Sequence, residues 1–354
     1  MKVAVVLLNL GGPDSKEAIK PFLYNFFMDK NIIRAPLPVR WLLAKYISFS
    51  RTKGEAGSSY AELGNKSPLL ENTQAQAKAL EKELGEKFKC FVCMRYWHPM
   101  SEDVVKQVKA YNPDHIVLLP LYPQYSTTTT RSSFQTWANA CEDVNLNVPT
   151  SRVCCYPADD GFVKASAKNI IESYHQALDE TASKSLAPPR VLFSAHGLPE
   201  DIIRDGDPYQ YQVEMSAEAI VRQINMPMLD WSICYQSRVG PKKWIGPSTE
   251  EALERAAKDN VPVIIYPHAF VSEHVETLVE IELEYRELAQ ELGVPYFLRV
   301  PTVSTSELFI KGLSNIVKIH MSHEGTFSNT GGPVCPQSCS ECAMNFNSEQ
   351  KRAA

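Results

Sequence analysis

Val191-Leu-Phe-Ser-Ala-His-Gly-Leu-Pro199 is an apolar run that stops at a turn of small residues carrying His196. A short apolar run bounded by turn residues reads as a strand buried on both faces, the kind found in parallel sheets. Ligands of open parallel sheets bind outside the carboxyl ends of the strands, so His196 stands where chemistry is expected. A lone histidine after a strand is otherwise a satisfied structural residue. Similar runs recur at 3–8, 91–94, 116–121, 152–156, 229–234, 261–266 and 296–300. Between them lie segments of helical period, among them 71–84, 162–178, 209–224, 250–258 and 274–292. Strand and helix alternate throughout, which calls for an α/β fold with parallel sheets covered on both faces. The polar stretch 179–189 divides the runs into two sets of four. The expected architecture is two similar doubly wound lobes, each a four-stranded parallel sheet flanked by helices, with a cleft between them. Their bounds are 1–180 and 181–320; the helix 304–319 packs back across the body, and 321–354 is a cysteine-bearing tail.

The segment 270–285, Phe-Val-Ser-Glu-His-Val-Glu-Thr-Leu-Val-Glu-Ile-Glu-Leu-Glu-Tyr, sets an imidazole beside a row of carboxylates. In an α-helix Glu276, Glu280 and Glu284 stack on one face, with His274 beside the first. Like charges at that spacing repel, and Arg286 is the first cation to follow. Such a row suits a divalent cation or a proton path. An exposed acidic helix face is the plainer reading, and the segment alone leaves both open.

The 354 residues suggest two domains, and 44% hydrophobic with 22% charged residues is an ordinary globular composition. A net charge of −5 argues against nucleic acid, whose binding draws on clustered lysine and arginine. No apolar run approaches the roughly 20 residues of a membrane-spanning helix. The first strand begins at once, so no leader peptide is expected and the location reads as cytoplasmic, or peripheral on the inner face of the cell membrane. The segment 36–53 interleaves Trp41, Leu42, Leu43, Tyr46, Ile47 and Phe49 with Arg40, Lys45, Arg51 and Lys53. That mixture fits an interfacial amphipathic helix and equally a core-packing helix with basic outer positions. Gly11-Gly12 lacks the third glycine of a dinucleotide fingerprint.

Six motifs together resemble the ferrochelatase family: Leu8-Asn-Leu-Gly-Gly-Pro13, Arg95-Tyr-Trp-His-Pro99, Leu121-Tyr-Pro-Gln-Tyr-Ser126, Ser194-Ala-His-Gly-Leu-Pro199, Tyr235-Gln-Ser-Arg-Val-Gly-Pro241 with Trp244-Ile-Gly-Pro247, and Ser272-Glu-His-Val-Glu-Thr-Leu278. The resemblance implies a lyase that inserts ferrous iron into a porphyrin, protoporphyrin IX to protohaem, at the end of haem biosynthesis. It assigns the reacting centre to His196 and Glu276, as base or iron ligands, with His274 orienting Glu276. Glu280 and Glu284 become a path for protons or hydrated metal, on a helix where family members show a widened turn. Leu10, Tyr122, Tyr235, Trp244 and Phe270 match the family's porphyrin-wall positions, and Arg95, Tyr96 and Ser126 its polar ones. Leu10 stands where other members carry Met or Tyr, and Ala61-Glu62 where animal members carry two Arg, which leaves protoporphyrin and coproporphyrin both open. The 36–53 segment corresponds to the family's apolar lip.

Three of the nine cysteines, Cys335, Cys339 and Cys342, fall within eight residues. In a reducing compartment such a group reads as metal or cluster ligands rather than disulfides. Some ferrochelatases carry a 2Fe-2S cluster on C-terminal cysteines and one internal cysteine, and four thiolates are required. The internal position of animal members is Thr127 here, so the fourth ligand is expected from Cys154 or Cys155, with Cys141 behind them. Strand alternation turns Cys154 and Cys155 to opposite faces, so only one of them is expected to serve. The competing readings are a chelatase for another divalent metal and a non-catalytic haem or iron-sulfur sensor. A sensor has no use for the acidic row. A homodimer is compatible with the sequence.

Overall fold

The computed structural model describes residues 1–238, 240 and 242–344; Val239 and Pro241 of the fifth motif and the tail from 345 onward lie outside the described residues. By contacts the described chain divides into two compact units, 1–156 with 313–334 and 343–344, and 157–312 with 335–342. The first break falls after Tyr156 rather than near 180. The reason is the helix Asp160–Thr181, which packs on the helix Tyr209–Ile224, and whose Ser166 Oγ accepts the Tyr266 hydroxyl at 2.7 Å.

In the first unit, β1 (Val3–Asn9) is buried at all seven positions and pairs in parallel with β2 (Phe88–Met94) and β3 (His115–Pro120). A strand between two neighbours, covered on both faces, has no polar side to show, which is why its sequence reads as an unbroken apolar run. β4 (Thr150–Cys155) continues the sheet beyond β3. In the second unit the central strand is β5 (Arg190–His196), flanked by β6 (Trp231–Gln236) and β7 (Val263–Pro267), with β8 (Phe297–Arg299) at the edge. Leu192, Cys234, Leu253, Val263, Ile265, Ile281 and Tyr285 form one core there.

The first sheet has a fifth strand. β9 (Gly325–Ser328) pairs in parallel with β4, so the chain beyond 321 is not all tail. Its register slips between Val153 and Cys155. A slip of this kind cancels strand alternation locally. The thiols of Cys154 and Cys155 consequently lie 3.6 Å apart, in one apolar group with Tyr125, Val334, Ala343 and Met344, and do not face opposite sides.

Two helices of the first unit, α1 (Ile19–Phe27) and α2 (Leu37–Lys53), pack together. α2 buries only Ala44 and Ser48 and leaves Leu37, Val39, Trp41, Leu42, Leu43, Tyr46 and Phe49 exposed. The core-packing reading of this segment fails on that burial.

Candidate active site

β5 ends on His196, beside Gln236 of β6. The turn that follows is tight because Gly197 has no side chain; a Cβ there would meet the Gln236 carbonyl at 2.9 Å and the Trp244 ring at 3.2 Å. His196 Nδ1 lies 2.9 Å from Glu276 Oε2, with 39% and 24% of the two side chains exposed. Burial alone would raise the Glu276 carboxyl, but the His196 charge and hydrogen bond, with His274 nearby, hold it below the ordinary carboxylate range. An ionised Glu276 can only accept, so Nδ1 donates to it, and whenever the ring is neutral its lone pair is on Nε2.

Glu276–Glu284 is π-helical over nine residues, a longer widened stretch than a single turn. Residues four apart in such a winding still lie within about 35° of one another around the axis, as in an α-helix but offset in the opposite sense, so Glu276, Glu280 and Glu284 keep to one side. Glu276 faces His196. Glu280 Oε2 accepts from Ser237 Oγ at 2.6 Å, and its Oε1 lies 3.3 Å from the Tyr285 hydroxyl. Burial first, and the Glu276 charge second, push the Glu280 carboxyl up to about 7. Glu284 is exposed.

His274 is buried, and its Nδ1 accepts the backbone N–H groups of Glu276 and Thr277 at 3.2 and 3.4 Å. It caps the start of the π-helical stretch and positions Glu276 through the backbone. Burial pushes His274 below the usual imidazole range. Phe270 stands edge-on to its ring at 4.6 Å. Tyr235 is buried and Trp244 half-buried.

The sequence-matched residues of the first unit separate into an outer and an inner set. Leu10, Arg95 and Tyr122 are half-buried; Tyr96 and Ser126 are buried. Tyr96 donates to Asp29 Oδ2 at 2.7 Å, and Ser126 Oγ accepts the Thr128 N–H at 3.1 Å. Arg95 Nη2 binds Asp29 at 3.0 Å and its Nε binds Ser132 Oγ at 2.6 Å. Burial would raise Asp29, yet Arg95 and the hydrogen bonds from Ser132, Asn31 and Tyr96 hold it below the ordinary range. Asp29 left no signal in the sequence, whereas Gln236 and Ser237 stood inside the fifth motif, and Tyr285 at the end of the acid row, without a role being assigned to them.

In the tail, Gln212 Nε2 donates to Cys335 Sγ at 3.0 Å, and Cys339 and Cys342 are buried. The Glu341 N–H donates to the Gly206 carbonyl at 3.1 Å. A hydrogen bond with the Cys342 thiol, then burial, push Cys335 far above the ordinary thiol range. Cys141 packs beneath β3 with Val104, Val108 and Trp137. Among the described residues no three His, Cys, Asp or Glu side chains are arranged to hold a metal ion.

The family model described as Ferrochelatase matches residues 2–321. The chain is 49% identical to the ferrochelatase of a Wolbachia species from Drosophila simulans, over 89% of this chain and 98% of that one. It is 48% identical to the ferrochelatase of Caulobacter vibrioides, over 96% of this chain and 97% of that one. Among solved structures it is similar to SirB from Bacillus subtilis with Fe3+, at a TM-score of 0.54 and 14% identity over 91% and 96% of the two chains. That last likeness is one of fold.

Proposed function

We infer, from a chain that belongs to the ferrochelatase family, that this protein is a metal chelatase, a lyase inserting ferrous iron into a porphyrin in haem biosynthesis. The observation that carries the chemistry is the contact of His196 with Glu276 at 2.9 Å. A porphyrin must release two pyrrole N–H protons as it takes up a dipositive ion, so charge balances when both protons leave. A neutral imidazole is a competent base near neutral pH. With Nδ1–H donated to Glu276, the Nε2 lone pair of His196 accepts a pyrrole proton, and the carboxylate stabilises the imidazolium that forms. Glu280, whose carboxyl is pushed up to about 7, is the next acceptor in the row and exposed Glu284 the last before water, and the imidazole gives up the first proton by this route before it takes the second.

The test is anaerobic incubation with ferrous iron and protoporphyrin, followed by haem absorbance. His196→Ala should lose more than about ten-fold in turnover, that is over about 1.4 kcal/mol of transition-state stabilisation. Turnover above that level sinks the base assignment. Protoporphyrin is the proposed substrate, and a higher kcat/KM for coproporphyrin would reverse that choice.

Two further parts of the reading rest on other observations. The exposed apolar face of α2 supports peripheral membrane contact: Lys45 stands 3.7 Å over the Trp41 ring, and Lys53 4.4 Å over Phe49. An open pocket of about 660 Å³ beside it, lined by Lys20, Tyr24, Lys45 and Phe49, suits an anionic headgroup. No helix among the described residues is long and apolar enough to cross a membrane.

The donor chemistry of Cys335, Cys339 and Cys342 supports a 2Fe-2S cluster. The Gln212 N–H on the Cys335 sulfur is the kind of donor that steadies a bound thiolate. These residues would hold a cluster whose folded-state binding adds stability. The sequence-based choice of Cys154 or Cys155 stays for the fourth ligand.

A further inference from the structure

We propose that Arg299 is a positioning residue for metal insertion, its guanidinium fixing the winding of the segment that carries Glu276 and Glu280. The proposal rests on the reading of those two acids as reacting groups. Arg299 is the last residue of β8. Its Nη1 binds both oxygens of Glu273 at 3.0 and 3.1 Å, and its Nε binds Glu282 Oε2 at 2.9 Å. The Arg299 side chain is 14% exposed, Glu273 22% and Glu282 29%, so water screens these bonds only partly.

The two acids bracket the working part of the π-helical stretch. Glu273 also accepts the Thr302 N–H at 2.9 Å and the Thr277 hydroxyl at 2.5 Å, and Thr277 Oγ1 in turn accepts the His274 N–H at 3.0 Å. Glu282 lies beyond Glu280, with Arg286 Nη2 on its other oxygen at 2.5 Å. One rigid fork on the edge of the sheet thus grips both ends of the segment, which a lysine's single ammonium cannot reproduce.

The grip selects the wide winding. Glu282 follows Glu276 by six steps along the helix. An α-helix turns about 600° over that distance, whereas a helix closing i to i+5 bonds turns roughly 490°. Rewound as an α-helix, the segment would swing Glu282 roughly 110° about its axis relative to Glu276 and take it off the guanidinium. A π-helix is rare on its own account and persists where something outside it decides the winding. Arg299 is placed to do so, and with the winding it sets which way Glu280 points when Glu276 faces His196.

The experiment compares Arg299→Met, Arg299→Lys and Arg286→Met in the full chain, with kcat expressed per porphyrin-binding site counted by fluorescence titration. Arg299→Met should lower kcat at least about ten-fold while the porphyrin Kd stays within about three-fold, a split that mere loss of folded protein cannot give. Arg299→Lys should recover less than about a third of the loss, and Arg286→Met, which leaves Glu273 untouched, should stay within about two-fold of wild type. Equal losses in Arg299→Met and Arg286→Met overturn the proposal. Amide hydrogen exchange supplies a readout independent of turnover: exchange across 276–284 should rise in Arg299→Met while that of β5 does not. Unchanged exchange overturns the positioning role even in an inactive protein, whereas a wild type that inserts no iron overturns the functional reading instead.

Discussion

Replacing Glu280 by glutamine removes a charge from the inner part of the acid row without changing its shape. The carboxyl titrates near 7 in the folded chain against an ordinary value of 4.5, because it is buried and faces the ionised Glu276. Below about pH 4.5 the residue is protonated in both folded and unfolded chains and contributes nothing. Between 4.5 and about 7 the folded state binds the extra proton, so stability falls as pH rises; above 7 the full penalty is present. A displacement of that size corresponds to about 3 kcal/mol at most, and since His196 stabilises Glu276 within the same pair, about 1–2 kcal/mol is expected to be recovered. Glu280→Gln should therefore match wild type in thermal unfolding at about pH 4 and exceed it by about 1–3 °C at about pH 8. It should insert iron more slowly at both. Equal melting differences at the two pH values, or a lower melting temperature at the higher one, would refute the claim that Glu280 is held protonated by its surroundings.

Glu276→Gln should cost more turnover than Glu284→Gln, since the first touches His196 and the second is exposed; similar losses would point to one metal site made by all three acids. Cys339→Ser should bleach the visible absorption of the purified protein and lower its melting temperature; a wild type holding zinc and no iron would discard the cluster. With the Cys154 and Cys155 thiols 3.6 Å apart, either can stand in for the other, so both single serine variants should stay coloured and only the double variant should bleach. A colourless single variant would identify a sole ligand. Replacing Trp41 and Leu42 by serine should weaken binding to vesicles containing anionic lipid by about ten-fold with soluble turnover intact, and undiminished binding would remove α2 from the membrane.

The sheets were legible because strands buried on both faces must be apolar throughout, as β1 and β5 are. β9 was not, because Gly-Thr-Phe-Ser is short and mostly half-buried and shows neither an apolar run nor alternation. His196 and Glu276 could be read from the motifs that hold them. Their surroundings could not: Ser237 comes from the end of β6 and Arg299 from β8, far away in sequence, and side-chain type alone does not report such meetings. The length of the π-helical stretch was hidden for a related reason. Apolar spacing tells which face is buried, but an i to i+5 bond is imposed by partners outside the segment. Alternation failed at Cys154 and Cys155 because the register slip depends on the neighbouring strand.

Arg95 enters any encounter with an anion already ordered. Its Nε and Nη2 are held by Ser132 and Asp29, and Tyr96 steadies the same carboxylate from beneath. A free arginine side chain gives up roughly 2 kcal/mol of rotamer entropy when it is immobilised. Here that loss is incurred during folding, so a carboxylate arriving at Nη1 meets a donor of fixed direction and the association bears little of it. The same packing makes the position sensitive: an Asp29→Asn substitution would remove the carboxylate that holds Nη2 and leave the arginine charge uncompensated, with only the Ser132 bond to fix its direction.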